Sequence, residues 1–244
     1  MRQRIAAALV WLVGSAGAAG AMTASICPFP DDVMPPGIAL PATRAAIAQR
    51  QRLVIMTMGG GPMAGGTMAD ATQTYPARMQ AHLARQLPGV AVVLNNRAEP
   101  DRSARSMARR LADDVTTQHP DLVVWASGGR EAVRNTDIGA YANVLEAGIA
   151  AVRAAGADMI LVDTQFAPGW AAIANLEAYR SVIRTVGEIE AVTVFPRFEL
   201  MRFWHEAGVV NLEAADRPAQ LAAAHLLFDC VGDGLARLVL RGLR

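Results

Sequence analysis

Leu53-Val54-Ile55-Met56-Thr57-Met58-Gly59-Gly60-Gly61-Pro62-Met63-Ala64-Gly65 is an apolar run that ends in a cluster of glycines. A continuous run rich in Val, Ile and Met fits a parallel strand buried on both faces. The three glycines that follow mark an exit where backbones approach closely or take unusual angles. That exit is where an α/β enzyme carries its nucleophile, and this one carries none. It reads equally well as a tight strand-to-helix turn without chemistry.

Downstream, the same alternation recurs. Residues 77–87 place Met79, Leu83 and Leu87 at helical spacing, and 90–94 read as a second strand. Helix over 103–118, strand over 121–125, helix over 138–155, strand over 159–162, helix over 176–188 and strand over 192–195 follow, with a helical end over 218–243. Apolar strands alternating with helices imply a parallel sheet covered on both faces. Ligands in such folds sit beyond the carboxyl ends of the strands. The exits that matter are then 59–65, 95–101, 126–131 and 163–170. Upstream, 42–52 reads as a short helix, and the proline-rich stretch 28–41 as an extended lead-in along the surface.

Met1-Arg2-Gln3-Arg4, the apolar run 5–13 and Ala19-Gly20-Ala21 have the form of a secretory signal peptide with an A-x-A-like cleavage site. The alternative is an uncleaved membrane anchor. The division expected is a signal over 1–21, an extension and lead-in helix over 22–52, and a single domain over 53–244. The two cysteines, Cys27 and Cys230, stand near the two ends of the mature chain. In an oxidising compartment they form a disulfide worth about 4–5 kcal/mol in the chain-entropy model; the other reading is two buried thiols. The four histidines (His82, His119, His205, His225) have no ligand spacing, so no metal or other cofactor is expected. A net charge of +1 with interspersed signs excludes a nucleic-acid footprint.

Taken together, the strand exits resemble the SGNH (GDSL-type) hydrolases, exported bacterial esterases and acylhydrolases with a flavodoxin-like three-layer α/β/α fold. The resemblance runs from about residue 53 to the end. It is carried by Thr74-Tyr75-Pro76-Ala77-Arg78-Met79, by Pro120 to Trp125, by Ala154 to Asp158, by Gln165-Phe166-Ala167-Pro168 and by Phe195-Pro196-Arg197-Phe198 with Met201, Arg202 and Trp204. It implies a serine nucleophile, an oxyanion hole and an Asp-x-x-His pair. In this chain the nucleophile position falls on Gly61, the third of Gly59-Gly60-Gly61. The second block falls on 97–100, where Pro100 has no amide hydrogen to offer. The third block falls on Gly128-Gly129-Arg130-Glu131, with Arg130 in the place of asparagine. The last block's best register puts Ala223 and Leu226 where Asp and His belong, with His225 one residue away.

Glycine has no nucleophile and a guanidinium is no general base. The expectation is a pseudoenzyme of the cell envelope, periplasmic or secreted. It would bind a small carbohydrate, acyl or anionic ligand at Gly59, Gly60, Gly61, Gly128, Gly129 and Arg130, or assist an active envelope partner. Arg130 reads either as a ligand cation or as the partner of Glu131 or Glu99. Trp170, Trp204 and Phe198 read as cleft wall or core. The alternative is an active esterase with a remodelled nucleophile, built from Thr57, Thr67, Ser127 or Asp163 with His225 or His205 as base.

Overall fold

The computed structural model describes residues 26–65, 70–169 and 175–244; the expected signal peptide, Thr67 and Trp170 lie outside them. Helix α1 (Pro41–Arg50) leads into β1 (Arg52–Met58), which runs through the short helix α2 (Gly61–Ala64) and a 3-10 turn to α3 (Tyr75–Gln86). The chain then alternates through β2 (Ala91–Asn96), α4 (Ala104–Gln118), β3 (Leu122–Ala126), α5 (Gly129–Val133), α6 (Ile138–Ala154), β4 (Asp158–Val162), α7 (Leu176–Ile189), β5 (Thr193–Phe195), α8 (Arg197–Glu206) and α9 (Arg217–Gly242). The five strands form one sheet in the order β2-β1-β3-β4-β5, with every pair parallel. This is the doubly wound, flavodoxin-like three-layer sandwich.

Burial explains the order. All of Leu53 to Met58 is buried, and β1 sits between β2 (Leu53 opposite Val92) and β3 (Ile55 opposite Leu122). The sheet therefore divides two cores. One packs Leu53, Ile55 and Val124 with Met79, Leu83, Trp204 and Leu235 from α3, α8 and α9. The other packs Met56, Val123 and Trp125 with Leu111, Leu145 and Ile183 from α4, α6 and α7. Helices α3, α4, α6, α7 and α9 each start on a side-chain cap: Thr74, Ser103, Asp137, Asn175 and Asp216 accept from the backbone amide three residues on.

The lead-in is no loose surface strand. Cys27, Met34 and Leu40 are buried in the first core. Cys27 and Cys230 form a disulfide that spans 203 residues with Cα atoms 5.5 Å apart. Beside it, Trp204 Nε1 donates to the Pro28 carbonyl at 2.8 Å and Phe29 packs edge-on to Trp204. Leu40 N donates to Gly242 O at 2.8 Å, closing the other end of α9. Trp204 is thus core and not cleft wall: it lies with no exposed surface beneath the lead-in.

Two expected outcomes follow from this packing. Cys230→Ser should lower unfolding stability by about 2–5 kcal/mol, read from denaturant midpoints, and reduction of the parent protein should give the same loss. At Gly148 of α6 an added Cβ would stand 2.3 Å from the Trp125 ring, so Gly148→Ala should cost about 1–3 kcal/mol in the same measurement.

Candidate functional site

The site is assembled at the carboxyl ends of the strands, starting from the turn after β1. Gly59 is buried, and a Cβ there would meet Met63 Sδ at 2.8 Å and the Ala126 Cβ at 3.2 Å. The turn is that tight because Met63 folds back over it. Gly60 O accepts from both Met63 N and Ala64 N at 3.1 Å, which closes α2 directly onto the turn. The exit of β2 runs alongside, with Arg97 N donating to Thr57 O at 2.8 Å and Glu99 N to Gly59 O at 3.0 Å. Asn96 locks the two exits together. Its Oδ1 accepts from Thr57 Oγ1 (2.9 Å) and Ala98 N (3.1 Å), and its Nδ2 donates to Met63 O (3.0 Å).

The exit of β3 supplies the facing wall. Gly128 has φ +97°, a left-handed conformation that glycine adopts without strain. Glu131 is buried, and its carboxylate accepts from Gly128 N at 2.9 Å and Ala104 N at 2.7 Å. It thereby pins the β3 exit to the start of α4. Both oxygens are committed to backbone, so Glu131 is no partner for Arg130. Arg130 instead pairs with exposed Asp101 at 2.7 Å, and its Nε is buried with no hydrogen-bond partner. Glu99 is taken by Arg102 and Arg110, which hold its carboxyl below the ordinary carboxylate range, chiefly through the hydrogen bond from Arg110.

Between these walls lies an open cavity of about 320 Å³ lined by Gly60, Gly61, Gly128, Gly129 and Arg130. Five of the six residues expected at a pocket meet there; Gly59 forms the turn beneath it. Gly61, the expected nucleophile position, faces open space: an added Cβ would meet no atom within 4 Å. Ser127 lines the same cavity, and its hydroxyl is 2.9 Å from the Tyr141 hydroxyl. Burial pushes the Tyr141 phenol well above its ordinary pKa, so it is not a base for Ser127 at neutral pH.

The other candidate bases lie elsewhere. All four histidines fall in the described residues, and none lines the cavity. His225 is exposed on α9. His82 sits between α3 and α9, 3.1 Å from Asp229. His205 packs against Phe166 with its Nε2 3.5 Å from Glu213. His119 is the exposed left-handed cap that ends α4. Ala223 and Leu226 lie within the continuous helix α9 and pack against the first core. Thr57 is buried and bonded to Asn96. Asp163 is buried against Arg180 at 3.1 Å; desolvation raises its carboxyl pKa and the Arg180 charge opposes the shift. Phe198 stacks under the Arg180 guanidinium at 3.8 Å. Among the described residues no group of three or more His, Cys, Asp or Glu is placed to hold a metal.

Several residues of the cavity stand outside the pocket expected from sequence. Tyr75 and Arg197 both line it. Each was legible only as part of the fold resemblance, because the exit of β5, where Arg197 begins α8, is not one of the four exits singled out.

The fold has many solved relatives. TesA aligns with a TM-score of 0.60 at 23% identity, over 76% of this chain and 99% of its own. An alpha/beta hydrolase enzyme from the metagenome of Lake Arreo, Spain, aligns with a TM-score of 0.62 at 18% identity, over 77% and 96%. An acetyl xylan esterase from Geobacillus stearothermophilus aligns with a TM-score of 0.60 at 16% identity, over 78% and 94%. No curated protein matches the chain. The model of the Non-GDSL lipase-like family matches residues 26–244, from the residue before Cys27 to the last residue. The chain belongs to the Non-GDSL lipase-like family and has the SGNH-hydrolase fold.

Proposed function

We propose that this protein is a non-catalytic member of its fold, which uses the cavity at the strand exits to bind an acyl or otherwise anionic small molecule. One observation carries the reading: the cavity presents Gly61, where the resemblance puts the nucleophile, and guanidinium groups in its lining, while none of the four histidines lines it. Acyl transfer by this fold needs a hydroxyl and a base within hydrogen-bond reach of each other. A cavity of this size, apolar along Pro62, Met63, Met107 and Val133 with a few polar groups, is of the kind that holds small ligands. The second reading, an esterase with a remodelled nucleophile, has the Ser127 hydroxyl in its favour, and the same assay decides between them.

The purified protein should hydrolyse p-nitrophenyl acetate and butyrate no faster than the no-enzyme background and should not be labelled by a fluorophosphonate probe. Steady turnover, or labelling mapped to Ser127, establishes the esterase. Gly61→Ser, for which the structure has room, should fold as the parent does and remain without turnover, because a hydroxyl is restored and a base is not.

The disulfide supports a periplasmic or secreted location. Expressed with residues 1–25 in a host that exports proteins, the mature chain should begin at Met22 by N-terminal sequencing. Retention of Met1 in a membrane fraction would establish an uncleaved anchor instead.

A further inference from the structure

Arg197 is the least explained charge in the molecule. It opens α8 immediately after β5, is 7% exposed, and lines the cavity described above. Its Nη1 donates to the Tyr75 hydroxyl at 3.4 Å, a long bond, and its Nε is buried with no hydrogen-bond partner. Among the described residues no carboxylate lies within ion-pair distance of it, and the segments outside them contain no Asp or Glu. Burial raises the Asp163 pKa and the Arg197 charge opposes the rise, yet the two Asp163 oxygens are engaged by Arg180 Nε and Thr164 N. A buried cation with no anion in hydrogen-bond contact is costly unless a ligand or water completes it.

The surroundings select the chemistry. Tyr75 is buried; its oxygen accepts from Arg197, and its own hydrogen has no acceptor among the described residues. The inner wall of the cavity thus carries the Arg197 guanidinium, whose Nε–H is sealed within the protein, and the Tyr75 hydroxyl, whose hydrogen has no acceptor among the described residues. The carboxylate of Glu131, the buried acid of the same lining, is consumed by backbone amides. Arg130 stands separately, tied to exposed Asp101. A planar guanidinium matches a carboxylate in two parallel bonds. The remainder of the wall (Pro62, Met63, Met107, Val133) is apolar.

We infer that Arg197, with Tyr75, anchors the carboxylate of a free aliphatic acid whose chain lies along Met63, Met107 and Val133. This rests on the binding reading above and gives it a substrate class: the acid released by ester hydrolysis, and not the ester.

Isothermal titration of the disulfide-intact protein with sodium octanoate, methyl octanoate and sodium sulfate tests it. Octanoate should bind about 10–100-fold more tightly than methyl octanoate, the factor that one charge-assisted hydrogen-bonding group supplies. Arg197→Met should remove that factor and leave methyl octanoate within about twofold, and Arg197→Lys should fall between. Arg197→Lys carries the test if the Met variant does not fold. No octanoate binding, equal binding of acid and ester, sulfate binding as tight as octanoate, or an unchanged octanoate affinity in Arg197→Met (Arg197→Lys if the Met variant does not fold) would each overturn the assignment. Turnover of p-nitrophenyl octanoate would overturn the non-catalytic reading alone. Octanoate is then measured as a product inhibitor, and Arg197→Met should raise its inhibition constant by the same 10–100-fold.

Discussion

The burial of β1 on both faces constrains everything at the site. Because Leu53 to Met58 is enclosed by β2, β3 and helices on either side, the chain can leave the sheet only at its carboxyl end, and it turns there beneath Met63. Gly59 is what lets Met63 and Ala126 close over that turn. Asn96 then ties the turn to the neighbouring exit, and Glu131 ties the third exit to α4. The cavity is the space left between three exits held in this way. Its walls are fixed by backbone hydrogen bonds, so changes in the reactive side chains leave its shape intact.

That separation between shape and chemistry accounts for how this chain keeps the architecture of ester hydrolases with bare glycine at position 61. The polar groups that preserve the cavity (Asn96, Glu131, Thr57) have their hydrogen-bonding capacity turned toward the scaffold. The cavity lining includes three guanidinium groups, Arg102, Arg130 and Arg197. A guanidinium only donates, which suits a ligand that only accepts.

The sheet was legible from sequence because a strand buried on both faces must be a continuous apolar run, and five such runs alternate with capped helices. The glycines were legible at the exits of β1 and β3, where Gly59 answers the close approach of Met63 and Ala126 and Gly128 a positive φ. The disulfide was one of two readings open to a pair of cysteines at opposite ends of the mature chain, the other being buried thiols. Arg197 was not legible, since an arginine opening a helix reads as a solvated surface charge, and only the packing of α8 under the cavity buries it. Trp204 was open to two readings, cleft wall or core, and the lead-in that covers it makes it core. The lead-in itself looked like surface chain because proline-rich composition does not reveal that Cys27, Met34 and Leu40 reach the core. Glu131 and Arg130 looked like partners by adjacency, yet a carboxylate one residue away bonded backbone amides instead.

The most direct measurement of the central claim is a crystal structure of the disulfide-intact protein grown with octanoate. The account predicts an intact, unbonded acid in the cavity, its carboxylate within hydrogen-bond distance of the Arg197 guanidinium and its chain along Met63 and Val133. Octanoate esterified to Ser127, or octanoate bound with Arg197 still unpartnered, would contradict it.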